Sequence, residues 1–169
     1  MIALLLIACM SKDDSLKTAL DDIDAAADSV DTVVADHGME VAAATTVDEV
    51  ATAESAWTND WSGAATGLRD ALDMLGSCAM DDSDRSSHDD AMTSMDAIDA
   101  AGTAHATTMA ACTTVEDCLA DETAFASEIS GYTDQIRGCR DGWEDGSVEC
   151  SMDGMSGMGD DSGDDMSGM

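Results

Sequence analysis

One alignment constrains this chain more than any other feature. Residues 21–69 superimpose on residues 89–137 without a gap, at a constant offset of 68 positions. The matches include Asp21/Asp89, Asp22/Asp90, Asp28/Asp96, Asp31/Asp99, His37/His105, Ala42/Ala110 and Ala43/Ala111. They continue through two Thr-Thr-Val triplets, Glu54/Glu122, Ala56/Ala124, Ser62/Ser130, Gly63/Gly131 and Arg69/Arg137. Alanine and aspartate are common enough here to coincide by composition, but histidine and arginine are scarce. A tandem duplication therefore organises the chain, and whatever one copy folds into must be present twice.

Each copy has the periodicity of paired helices. Leu16, Leu20, Ile23, Ala27, Val30, Val34, His37 and Val41 recur at alternating steps of four and three, one face of a helix packed in a bundle. Thr46 with Glu49, or Thr45 with Asp48, supplies an N-cap and its reciprocal acid for a second helix. That helix carries Val47, Val50, Glu54, Trp57, Trp61, Ala64, Leu68, Ala71 and Leu75, and Gly76 stops it. The second copy repeats the seam as His88, Ala91, Met95, Ile98, Gly102, His105 and Met109. After a cap formed by Thr113 with Glu116, it continues as Val115, Cys118, Glu122, Phe125, Ile129, Tyr132, Ile136 and Cys139. Proline is absent and β-branched runs are short, so an all-α chain is expected, with helices over about 13–42, 46–75, 84–111 and 114–138. Short turns make neighbours antiparallel, giving an up-down-up-down four-helix bundle of two duplicated hairpins. Gly, Asp, Ser and Met dominate from residue 140 onward, which predicts a flexible tail over 140–169.

Both histidines and both glutamates of the repeat fall on the apolar seam. His37 lies about six residues before its turn and Glu54 about eight after Thr46, so their Cα atoms sit roughly 9 and 12 Å from it. Side chains lean toward their own helix N-terminus, which makes the tips converge. With the second copy related by a two-fold axis, His37, Glu54, His105 and Glu122 occupy one layer. A buried carboxylate left unpaired costs several kcal/mol, so the layer must satisfy itself. One solution is a divalent metal such as Zn(II) in a tetrahedral two-imidazole, two-carboxylate set; another is a pair of His–Glu hydrogen bonds without metal. Ferritin-like di-iron bundles need Glu-x-x-His, but Trp57 and Phe125 occupy those histidine positions here. No nucleophile–base set and no phosphate-binding glycine loop is visible, so the expectation is a non-enzyme.

Six Lys and Arg against 37 Asp and Glu give a formal net charge of −31. Such a chain lacks the clustered cations that phosphates require, so nucleic acid is excluded as a partner. The acidity suits a solvated surface in a salty exterior or loose cation uptake.

The N-terminal residues MIALLLIACM contain Leu6-Ile7-Ala8-Cys9, a run that resembles the lipobox of bacterial lipoproteins. It departs from that pattern in having no basic residue ahead of the apolar stretch. The resemblance implies a signal peptide over residues 1–8, cleavage before Cys9, lipidation of Cys9 and membrane attachment through that lipid. Met10 in place of Asp implies, in the Gram-negative pattern, an outer-membrane lipoprotein of the cell envelope facing the periplasm or the exterior.

Export would place the remaining cysteines in an oxidising compartment. Cys112 with Cys118 across the second hairpin turn, and Cys78 with Cys139 between copies, are the expected disulfides. A copper-type alternative groups His105 with Met109 and Cys118, because thiolate and thioether favour Cu(I). In the tail, Met152, Met155 and Met158 are spaced by three, as are Met166 and Met169. This spacing resembles the Met-x-x-Met runs of periplasmic copper-handling proteins, which would imply Cu binding there.

Overall fold

The computed structural model describes residues 12–144 and Val148. Four antiparallel helices carry them: α1 Lys12–Ala43, α2 Val47–Gly76, α3 Asp82–Ala111 and α4 Val115–Glu144. Successive helices pack side by side and α4 closes against α1, so the bundle is up-down-up-down with α1 diagonal to α3. Burial follows most of the seam, with departures at Leu72 and Thr133, which are fully buried off it, and at Leu16, Tyr132 and Cys139, which lie on it half-buried. Ile23, Ala27, Val30, Leu68, Met95, Ile98, Ile129 and Ile136 are fully enclosed, while the aspartates between them face water.

The turns are closed by side chains that satisfy the orphan amides at helix starts. Thr46 accepts from the Glu49 amide, and the Glu49 carboxylate accepts from the Thr46 and Thr45 amides, completing a capping box. In the second hairpin the cap is Thr114, which accepts from Asp117 N at 3.1 Å, instead of the expected Thr113 with Glu116. The shift restores the repeat, since Thr114 is the counterpart of Thr46.

Helix α4 runs six residues past its expected end at 138. Trp143 explains why: it continues the Ile136–Cys139 seam, is fully buried, and donates from Nε1 to the Asp84 carbonyl at 3.1 Å. That bond ties the end of α4 to the start of α3. Arg140 supports the same turn through Asp24 and Glu144.

The duplication also appears as reciprocal clamps. Arg69 of α2 binds Asp96 and Asp99 of α3 at 2.8 and 2.7 Å, and Arg137 of α4 binds Asp28 and Asp31 of α1, both at 2.7 Å. Each arginine thus grips the other copy's aspartates, at equivalent positions. Exposed ion pairs of this kind contribute at most about 1 kcal/mol each, so their main effect is to fix register between hairpins.

Gly102 marks where the copies differ. A Cβ there would lie 2.4–2.6 Å from the Trp61 indole, so the glycine lets α3 accept the ring of α2. The first copy has Val34 at that position. Restoring the repeat with Gly102→Val is expected to overpack the core and lower stability by about 1–3 kcal/mol; urea unfolding at unchanged m-value is the check.

Candidate metal centre

α1 carries His37 and α3 carries His105 across the bundle diagonal, while α2 and α4 supply Glu54 and Glu122 between them. The four donors meet. His37 Nε2 lies 2.7 Å from Glu54 Oε1 and 3.3 Å from Glu122 Oε2; His105 Nε2 lies 3.4 and 3.2 Å from the same two oxygens. The two Nε2 atoms are 3.4 Å apart, and the whole donor set lies within 4.8 Å. A tetrahedral ion with bonds near 2.0–2.1 Å has donor–donor edges of about 3.3 Å. Five of the six edges here are between 2.7 and 3.4 Å, and the sixth, between the two carboxylates, is within 4.8 Å.

The layer is closed above and below. On the core side Trp57 stacks on His37 with centroids 4.9 Å apart, and its counterpart Phe125 stacks on His105 at 4.1 Å. On the turn side Val41, Val50, Met109 and Cys118 form a small buried cluster. The side chains of His37, His105 and Glu122 are at most 3% exposed, and that of Glu54 is 15% exposed.

Glu122 is the least well hydrogen-bonded member of the layer. His37 bonds Glu54 through Nε2, and His105 bonds Asp121 through Nδ1 at 2.9 Å. Both Glu122 oxygens are buried, and Oε2 meets the imidazoles of His37 and His105 at 3.3 and 3.2 Å as ion pairs, without a well-formed hydrogen bond. A buried carboxylate in that state is costly. Burial alone would raise the Glu54 carboxyl, but hydrogen bonding and charge from His105 and His37 outweigh it and hold it down at about 2. Burial would lower the His105 imidazole, but Glu122 and then Glu54 outweigh it and push it up to about 9. The layer therefore favours positive charge at its centre.

Asp121 is a site residue that sequence reasoning missed. It orients His105 as a carboxylate behind a metal-ligating imidazole does, and the repeat concealed it because its counterpart is Ala53. His37 has no equivalent partner, and its Nδ1 is buried and unbonded.

The other expected ligands do not join this centre. His105 has one nitrogen in the layer and the other on Asp121, so neither is free for a copper-type set with Met109 and Cys118. His88 is half-buried, with its Nε2 at 2.9 Å from the Leu72 carbonyl oxygen at the far end of the bundle. The anticipated disulfides are corrected as well. Cys112, Cys118 and Cys139 are free thiols, and Cys78 is disulfide-bonded but not to Cys139. Cys118 points into the apolar cluster while Cys112 packs at its edge; burial, then the neighbouring Cys118 thiol, pushes Cys112 up to about 12. Cys9 and Met152, Met155 and Met158 lie outside the described residues. Among the described residues no helix is long and apolar enough to cross a membrane. Compared with known proteins, the chain matches no family model, no curated protein and no solved structure.

Proposed function

We propose that the bundle holds one divalent transition-metal ion between His37, Glu54, His105 and Glu122, as a metal-buffering or metal-sensing module. The donor geometry carries this reading: two imidazole nitrogens and two carboxylate oxygens, all within 4.8 Å of one another in a buried layer, are completed by a cation at their centre. Zn(II) suits a closed tetrahedral nitrogen–oxygen set best, because it has no electronic preference for a higher coordination number. Four protein donors leave no position open for substrate, which supports binding over catalysis. The reading extends to a lipid-anchored envelope protein acylated at Cys9, with Cu(I) taken by Met152, Met155 and Met158.

The 2.7 Å His37–Glu54 bond favours a second reading, in which the layer is a metal-free His–Glu network that sets hairpin register in an envelope lipoprotein. The two readings separate on the full-length protein dialysed against Zn(II), Cu or Fe salts and analysed by elemental mass spectrometry. About one Zn(II) retained per chain is expected. At a free concentration a hundred times the dissociation constant, the ion stabilises the fold by about 2.7 kcal/mol, raising the melting temperature by about 5–10 °C. Equimolar Mg(II), which screens the −31 charge but prefers six oxygens, should give a much smaller rise. Folded protein that retains no metal would establish the second reading.

A further inference from the structure

The two imidazoles of the layer have different backs. His105 is held by Asp121, whereas His37 forms part of the wall of a cavity of about 70 Å³ together with Val33, Asp36, Glu40, Ala56, Trp57 and Asp60. The cavity spans core to surface: His37 and Trp57 are buried, and Asp36, Glu40 and Asp60 are exposed. The His37 side chain is fully buried, and its Nδ1 has no partner in the protein. At about 30 Å³ per molecule of liquid water, the space admits about two waters.

The repeat shows that this arrangement belongs to one copy. Asp36 and Glu40 correspond to Ala104 and Thr108 in the second hairpin, so only His37 has these two carboxylates beside it. The second copy instead places Asp121 where the first has Ala53.

On the reading that the layer binds a metal ion, we infer that the acidic cavity beside His37 is the loading route for a hydrated divalent cation, with Asp36, Glu40 and Asp60 as its attracting mouth. Three carboxylates on a narrow, low-dielectric opening concentrate cations and accelerate association by a factor of ten or more. Water in the cavity accepts from His37 Nδ1, fixing the tautomer that presents Nε2 to the ion, as Asp121 does for His105. One imidazole is thus held directly, and the other stands at the entrance.

The test uses full-length protein stripped of metal and mixed rapidly with Zn(II) alone, following the fluorescence of Trp57, which stacks on His37. Co(II) in parallel reports tetrahedral coordination by its visible absorption. Asp36→Ala and Glu40→Thr, borrowed from the second copy, are combined with Asp60→Asn. A control removes three exposed acids elsewhere: Asp70→Asn, Asp73→Asn and Asp89→Asn. Loading is expected to slow about tenfold or more in the cavity variant and less than threefold in the control, with a weaker salt dependence in the former. Equal rates in unmodified protein and cavity variant, or equal slowing in both variants, would overturn the cavity route while leaving the metal centre standing. No uptake by the unmodified protein would overturn the metal reading and the route with it.

Discussion

Replacing His37 and His105 together with leucine is expected to abolish metal retention and also to destabilise the metal-free fold by about 3–5 kcal/mol. The first effect follows from losing two of four donors. The second arises because Glu54 and Glu122 would remain in the layer without a cationic partner, and breaking a buried pair from one side costs that much. The two losses separate in a quadruple variant that adds Glu54→Gln and Glu122→Leu. An uncharged layer of similar volume needs no counter-charge, so this variant is expected to regain the unmodified protein's metal-free melting temperature or exceed it, still without binding Zn(II). Zn(II) retained at one equivalent by the double variant would place the ion elsewhere. A quadruple variant as unstable as the double would show that the destabilisation does not come from stranded carboxylates.

The metal-free protein is expected to be most stable between about pH 4.5 and 6.5. His105 is raised from an ordinary 6.5 to about 9, so its contribution is complete below 6.5 and is lost as pH rises through 9. Glu54 is depressed from 4.5 to about 2; its contribution is present above 4.5 and lost as pH falls through 2. Each tenfold difference in proton affinity between folded and unfolded chain corresponds to about 1.4 kcal/mol, which makes the alkaline loss large on the scale of a domain's stability. Saturating Zn(II) should remove the dependence above pH 6.5, because the ion takes the place of the His105 proton and binds more tightly as that proton becomes easier to lose. Thermal melts from pH 4 to 9 in high salt, with and without Zn(II), test this. A metal-free curve that stays flat up to pH 9 would contradict the raised His105.

The architecture was legible because the seam and the repeat agree. Alternation by three and four predicted most of the buried residues along all four helices, though it named Tyr132 where Thr133 is buried and passed over Leu72, and the shared offset predicted that His37, Glu54, His105 and Glu122 reach one height. Features that break the repeat were illegible. Asp121 replaces an alanine and Gly102 replaces a valine, and comparing the copies passes over mismatches; each mismatch turned out to be a specialised contact. Trp143 was overlooked for a different reason. The Gly-, Asp-, Ser- and Met-rich composition from residue 140 onward reads as tail, yet burying one indole with its N–H bonded outweighs the roughly 1 kcal/mol cost of Gly142 in the helix. The cysteine pairs were not legible: Cys112 and Cys118 are neighbouring free thiols, and the disulfide of Cys78 does not go to Cys139.

The reciprocal arginine clamps describe two half-molecules that recognise each other through the same contacts, an isologous dimer written on a single chain. In a dimer of identical hairpins every substitution occurs twice, so the two faces of a shared layer stay alike. Joining the hairpins in tandem lifts that symmetry constraint without giving up the contacts that align them. One histidine could then acquire a carboxylate anchor while the other gained an acidic forecourt, a division of labour that no symmetric pair of hairpins could encode.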